Sequence, residues 1–516
     1  MIINKIFITL FTAFFFVTIF PAYSQSKSIE QTKDSTDFVT IEIDENEEYQ
    51  IIDHFGASDA WSTQFVGNWP LVKREAIADL LFSTEVDEYQ NPIGIGLSIW
   101  RFNVGAGSAE QGSESGIKDE WRRAESFLEA DGTYNWDRQK GQIWFAKAAK
   151  ERKVSKLLMF LNSPPVNITK NKKAYASNKQ PNLDKDQFVF YADYLTTVVE
   201  GLNKMGLTVD YISPVNEPQW DWSDGGQEGT PFTNSDIAGI TKALNKSLVD
   251  KKLKTKIDIA EAAKIDYLYQ KDDKPFRSTQ IDAFFNSNSS NYIGDLSNVS
   301  KTISGHSYFT TSPNDVAVNK RKELYKAIDN ISGLKYWMSE YCILGGNSGE
   351  IDGNKRDLGM TSALYLAKVI HNDLVFAQAS SWQWWVAISP YDYKDGLIYI
   401  DKNKQDGNFY ESKMLWTLGN YSRFIRPNDV RIATESTDSK LLISSYQNKK
   451  EKIITTVIVN NCNEKRIVKL NFKNHHYKAI SSYTTNYKLN LRYQNIKTEE
   501  LVIPEKSVVT ILSTQN

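Results

Sequence analysis

The sequence predicts an α/β protein, a (β/α)8 TIM barrel with a side β-sandwich domain. Three observations predict it. Eight short apolar segments recur between Ile52 and Val386, and helical patterns lie between them. The segments are apolar on both faces, as strands buried in an all-parallel sheet are. After about Arg426 the pattern changes to strand-like runs separated by polar turns, with no convincing helix between them.

The elements follow in chain order. Lys5 precedes an apolar run from Ile6 to Phe20, and Ala22-Tyr-Ser24 then offers a cleavage site, so residues 1–24 read as a signal peptide. The run is shorter than the roughly 20 residues of a membrane span. No Cys follows the cleavage site to carry a lipid. A secreted or periplasmic protein with no membrane attachment in its mature form is expected. Residues 25–37 are rich in Ser, Lys, Gln and Asp and form a flexible leader. Val39-Thr-Ile-Glu-Ile43 is strand-like and can pair with the C-terminal β-region, because the chain enters the barrel directly afterwards. The barrel strands are Ile52–Ala57, Leu97–Val104, Lys156–Asn162, Val209–Val215, Lys256–Ala260, Thr302–Tyr308, Leu334–Ser339 and Ser380–Val386. Asp137–Arg152, Lys185–Met205, Asn234–Asp250 and Leu358–Ala377 have helical periodicity. Eight strand–helix units of this kind make a barrel with insertions. The sandwich strands are Leu441–Tyr446, Lys452–Val459, Arg466–Phe472, Lys478–Tyr483 and Leu501–Leu512.

Composition narrows the function. A chain of 516 residues with a formal net charge of −2 offers no basic surface for phosphates, so nucleic acid is not an expected partner. The 13 Trp and 26 Tyr suit a protein that packs sugar C–H faces on rings, although large domains also bury aromatics. The two cysteines, Cys342 and Cys462, are too few for a disulfide framework and read as buried thiols. The five histidines show no metal-binding spacing, so neither a metal nor a cofactor is expected.

The chemistry lies at the strand ends. In a (β/α)8 barrel the active site is built at the C-terminal ends of the strands. Glu217 ends the fourth candidate strand inside Asn216-Glu-Pro218, and Glu340 ends the seventh. Two carboxylates on different strands are what glycoside hydrolysis needs, one as acid and one as nucleophile. Glu217 is read as the general acid/base and Glu340, set among aromatic residues, as the nucleophile. Asn216 can donate a hydrogen bond to a sugar hydroxyl. Arg101, on the second strand, can hold the nucleophile ionised. Tyr308 can orient it, with His306 as a weaker candidate. Alternation along Ser381-Trp-Gln-Trp-Trp385 sends Trp382 and Trp384 to one face, read as core, and Trp385 to the other, read as a sugar platform. Asp59 and Trp61 follow the first strand, and Trp220 and Trp222 follow the acid. The expected substrate-binding set is therefore Asn216, Arg101, Tyr308, Trp385, Asp59, Trp61 and Trp220.

Taken in order, these motifs resemble glycoside hydrolase family 30. The segments are His54-Phe-Gly-Ala-Ser-Asp-Ala60, Trp100-Arg-Phe-Asn-Val-Gly105, Asn162-Ser-Pro-Pro165, Ser213-Pro-Val-Asn-Glu-Pro218, Ser339-Glu-Tyr341 and Gly419-Asn-Tyr-Ser-Arg-Phe-Ile-Arg-Pro427. The resemblance implies a retaining hydrolase with Glu217 as acid/base and Glu340 as nucleophile. It also implies a barrel over 53–424 and one side β-domain made of 38–52 and 425–516. Asn-Ser-Pro-Pro and Ser-Pro-x-Asn-Glu-Pro are similar to the endo-β-1,6-galactanase branch. His54 stands where many members carry Gly, and Asp59 where the galactanase branch often has a small residue; both are expected near the substrate entrance and bear on the exact sugar. The expected activity is thus hydrolysis of β-1,6-galactan by a monomer whose partner is a polysaccharide or oligosaccharide. The alternatives are the same mechanism on β-1,6-glucan or xylan, an exo-acting β-glycosidase, or a carbohydrate-binding protein on a degenerate barrel.

Overall fold

The computed structural model describes residues 38–515, so the expected signal peptide and leader lie outside the described residues. Strand β1 (Val39–Ile51) opens the described chain. Eight parallel strands follow: β2 (His54–Ser58), β3 (Ile99–Asn103), β4 (Lys156–Phe160), β5 (Tyr211–Ser213), β6 (Lys256–Ala262), β7 (Val299–His306), β8 (Lys335–Tyr341) and β9 (Ser381–Ser389). Each pairs with the next, and β9 pairs with both β8 and β2, which closes the barrel. A short extension, β10 (Gly396–Ile400) and β11 (Phe409–Glu411), continues from β9. The predicted eight strands are all present, with ends displaced by a few residues.

The strands read as apolar on both faces because both faces are covered. Every residue of β2 and β3 is buried. Inside the barrel, Ile99, Leu158, Phe160 and Trp337 form one packed cluster with Trp61 above them. Outside it, helices present apolar stripes. The helix Phe188–Lys204 buries Tyr191, Leu195, Val198, Val199 and Leu202, a period that keeps one face on the sheet. The next helix, Asn234–Asp250, starts at a capping box in which Thr233 and Asp236 satisfy each other's backbone N–H. Such caps fix where each helix starts, and so how long the preceding loop at the barrel mouth is.

The side domain is one nine-stranded sheet. Its strands after the barrel are β12 (Val430–Ser436), β13 (Leu441–Asn448), β14 (Ile453–Asn460), β15 (Arg466–Phe472), β16 (Tyr477–Thr485), β17 (Arg492–Asn495), β18 (Leu501–Ile503) and β19 (Ser507–Gln515). The order is β17-β16-β19-β14-β13-β12-β1-β15-β18, so β1 pairs antiparallel with β12 and parallel with β15. Ile41 and Ile43 of β1 share a core with Ile454, Ile458, Leu501, Ile503 and Ile511. The expected strand Leu501–Leu512 is two strands, because Pro504 lies outside any ladder between β18 and β19. Both cysteines are free; Cys342 is buried, and Cys462, expected to be buried, is partly exposed.

Candidate active site

Glu217 and Glu340 meet at the mouth of the barrel. Glu340 belongs to β8, where a bulge in the β7–β8 register sets it beside His306. Glu217 lies just past β5 at φ +44°, a left-handed conformation, and its backbone N–H donates to the carbonyl of Glu261 at 2.9 Å. Both side chains are almost wholly buried. A carboxylate oxygen of each and a ring nitrogen of His306 all lie within 4.8 Å of one another.

Arg101 stands beneath the pair with no exposure. Its guanidinium lies on the Phe160 ring at 3.7 Å and donates to Glu340 Oε2 at 2.5 Å and to Asn216 Oδ1 at 2.9 Å. The Tyr308 hydroxyl donates to the other oxygen of Glu340 at 3.0 Å. Asn216 is held in turn, its amide donating to Asn162 Oδ1 at 3.0 Å.

His306 is more central than its sequence position suggests. Nδ1 faces Glu217 Oε1 at 2.9 Å and Glu340 Oε1 at 3.6 Å, while Nε2 faces Glu261 Oε2 at 2.9 Å. Burial works against a charge on the ring, but the carboxylates of Glu340, Glu217 and Glu261 outweigh it and push its pKa up to about 10. The imidazolium then donates to two glutamates at once. Glu217, His306 and Glu340 also have the spacing of cation ligands. A ring protonated on both nitrogens has no lone pair to give an ion.

Glu261 is the functional residue that the sequence reading missed. It is fully buried at φ +48° at the end of β6. Its carboxylate accepts from His306, from Ser339 Oγ at 2.6 Å and from Ser213 Oγ at 2.9 Å, and lies 3.3 Å from Arg101. Burial would raise its pKa, yet Arg101 and His306 outweigh that and hold it down at about 2. The signal was present: an acidic residue closes the strand segment Lys256–Ala260, as Glu217 and Glu340 close theirs.

The charges of this cluster decide which group carries a proton. Arg101 and the His306 imidazolium compensate two of the three carboxylates. The third is Glu217. Burial raises its pKa most, its bond from His306 works the other way, and the nearby Glu340 adds to the rise. Glu217 is therefore the carboxyl suited to hold a proton, while Glu340 receives donors on both oxygens.

Above the pair opens a cavity of about 560 Å³. Asn216, Glu217, Tyr308, Glu340, Trp61, Trp220 and Trp385 all line it, as does Trp222. Trp382 and Trp384 are fully buried behind it. Two expected substrate contacts are corrected. Asp59 is buried below the floor, where its carboxylate accepts the Asn103 N–H at 2.7 Å and burial raises its pKa well above the usual range. Arg101 lies under Glu340 and not in the cavity wall, so it acts on the carboxylate rather than on the sugar. Arg122, Gln227, Phe309, Tyr391 and Asp395 also line the cavity. They sit on loops between the regular elements or in a short 3-10 turn, without periodicity, and no sequence signal marked them.

Comparison with known proteins agrees with this fold. Residues 38–399 match the family model described as O-glycosyl hydrolase family 30. A conserved exported protein from Bacteroides fragilis is 35% identical, with a TM-score of 0.85 over 92% of this chain and 100% of that one. The catalytic domain of a GH30 xylanase C from Talaromyces cellulolyticus is 21% identical, with a TM-score of 0.68 over 92% of this chain and all of that one. An endo-β-1,6-glucanase is 16% identical, with a TM-score of 0.66 over 92% and 94% of the two chains.

Proposed function

This chain belongs to O-glycosyl hydrolase family 30, and from that premise we propose that it is an exported, retaining hydrolase that cuts inside β-1,6-galactan. The observation that carries the retaining mechanism is the approach of Glu217 and Glu340 to within 4.8 Å. Retaining enzymes hold their carboxyls roughly 5–5.5 Å apart, whereas inverting ones leave roughly 6.5–9.5 Å for a water between them.

The reaction runs in two steps. Glu340, bonded by Arg101 and oriented by Tyr308, attacks the anomeric carbon. Glu217 gives its proton to the departing glycosidic oxygen, and a glycosyl ester on Glu340 results. Now ionised and still bonded to His306, Glu217 takes a proton from water, which displaces Glu340 and restores the starting state.

The galactan assignment rests on the Asn162–Pro165 and Ser213–Pro218 segments. Action inside a chain is supported by two groups of cavity aromatics, Trp220 and Trp222, both bonded to the Glu217 carbonyl, and Trp61 and Trp385, packed edge-on against each other. Export is supported by the apolar segment after Lys5 and by the B. fragilis relative, described as exported. Among the described residues no helix is long and apolar enough to cross a membrane.

A substrate panel tests the reading: β-1,6-galactan, β-1,6-glucan and glucuronoxylan, with Glu217→Gln and Glu340→Gln alongside. Early release of an oligosaccharide ladder from galactan alone is expected, with the β-anomer formed first by NMR. Glu217→Gln should lose about 10²–10⁴-fold, and Glu340→Gln should fall to background. Preferential cleavage of another polymer would move the substrate, and an α-anomer formed first would remove the retaining mechanism.

A further inference from the structure

We propose that Asp258 is a positioning residue for the acid: it holds a proton at rest and, by releasing it as pH rises, keeps the proton on Glu217. It acts on Glu217 through Ser213, Glu261 and His306. The proposal rests on the reading of Glu217 as the acid.

Asp258 lies on β6, three residues before Glu261, and has no exposure. The mechanism gives it no task, and a buried carboxylate is costly unless it is paired or neutral. Its partners are hydroxyls. Thr302 Oγ1 donates to Asp258 Oδ1 at 3.0 Å, and Ser213 Oγ lies 3.3 Å from Asp258 Oδ2. Ser213 Oγ also lies 2.9 Å from Glu261 Oε1. A hydroxyl has one proton to give, and here the nearer oxygen, that of Glu261, takes it. The contact with Asp258 then joins two oxygens and needs a proton from Asp258. With that proton in place every link of the chain carries one. Asp258 donates to Ser213, Ser213 to Glu261, and His306 to both Glu261 and Glu217.

Charge leads to the same assignment. Arg101 and the His306 imidazolium balance Glu261 and Glu340, which leaves no cation for Asp258. From β5 Asp258 faces the Ser213 hydroxyl and the Tyr211 phenol, whose pKa burial raises to about 12. From β7 it faces the hydroxyls of Thr302 and Ser304, and on its own strand Glu261. Among the described residues no lysine, arginine or histidine pairs with it. Burial, and then the Glu261 charge, push the Asp258 pKa up to about 7 against the pull of the three hydroxyls. Below that pH Asp258 is neutral. Above it a fourth negative charge joins the cluster, and an added negative charge makes each neighbouring proton harder to remove. His306 then stays an imidazolium, and Glu217 keeps the proton that the leaving oxygen takes. Ionisation of Asp258 thus extends the working range of the acid on its alkaline side.

The test is the pH profile of kcat/KM for the full chain on whichever polymer of the panel it cleaves. Asp258→Asn copies the neutral side chain. Its amide donates to Ser213 and its oxygen accepts from Thr302, but it cannot ionise. The alkaline limb is expected to move down by about half a pH unit, the scale of one charge acting across a protein interior, with the acid limb in place. Thr302→Val gives a second reading should Asp258→Asn fail to fold. It removes a donor to the ionised form, so Asp258 keeps its proton to higher pH and the limb moves the same way by a smaller step. An alkaline limb that stays in place in Asp258→Asn, or in Thr302→Val where the first variant does not fold, leaves Asp258 a structural residue and overturns the proposal while the acid reading stands. An alkaline limb that persists in the residual hydrolysis by Glu217→Gln belongs to another group and overturns both.

Discussion

Glu261 shows how one buried carboxylate can set the position and charge of its neighbours. Its backbone carbonyl anchors Glu217, its carboxylate anchors His306, and it shares Arg101 with Glu340. Glu261→Gln keeps the shape and removes one negative charge. The remaining carboxylates then hold protons less tightly, so the alkaline limb of the kcat/KM profile, set by loss of the Glu217 proton, moves to lower pH. A fall in kcat of about 10²-fold with little change in KM is expected from misplacement of the pair. A pH profile that stays in place, with only a lower melting temperature, would reduce Glu261 to a structural role.

At the scale of elements, the mouth is built by loops laced to one another. The loop after β5 carries Glu228, fully buried, which accepts from the Ala106 N–H at 3.0 Å, the Ser108 N–H at 3.3 Å and the Ser108 hydroxyl at 2.5 Å on the loop after β3. The same loop exchanges backbone bonds with a third, Gly229 N–H to Ala174 O and Ala176 N–H to Gly229 O. Gly229 is needed there, because a Cβ would meet the Trp222 ring at 2.4 Å. Burial raises the Glu228 pKa to about 7 against an ordinary 4.5. Between those values the folded protein binds more protons than the unfolded chain, so stability falls as pH rises through that window. The contribution is up to about 3 kcal/mol. Glu228→Gln should flatten the dependence of stability on pH between 5 and 7 in urea melts. An unchanged slope would show that Glu228 does not titrate in that window.

For the whole molecule, the side sheet covers helices that the barrel alone would leave bare. The helix Lys413–Ser422 buries Met414, Leu415, Trp416, Leu418 and Tyr421. Its Asn420 amide donates to Tyr483 O at 3.0 Å and to Thr510 Oγ1 at 2.9 Å, and the Thr510 hydroxyl returns a bond of 2.7 Å to Asn420 O. The Ile52 N–H donates to Asp429 O at 2.8 Å where the chain leaves the sheet for the barrel. A chain cut to 53–424 should therefore be insoluble, because the uncovered helix faces would associate. The chain from Phe38 onward should unfold in one calorimetric transition. A soluble, active 53–424 fragment would contradict this dependence.

The sequence by itself determined the architecture and pointed to the two carboxylates that meet at the barrel mouth. Period-2 and period-3.6 patterns report burial directly, and a carboxylate that closes an apolar strand is conspicuous wherever the strand leads. The same rule applied to Ala260-Glu261 would have found the third glutamate. Tertiary structure alone decided the rest. Asp59 follows β2 as Glu217 follows β5, and Arg101 sits in the middle of β3, yet neither lines the cavity and both are buried, because which way a side chain turns depends on local bulges and neighbouring strands. His306 gains its charge from glutamates 45 and 89 positions away in the chain, a field no local pattern encodes. Phe309, Arg122 and Tyr391 reach the cavity from segments between the barrel strands, whose paths are set by contacts with other loops and not by their own periodicity.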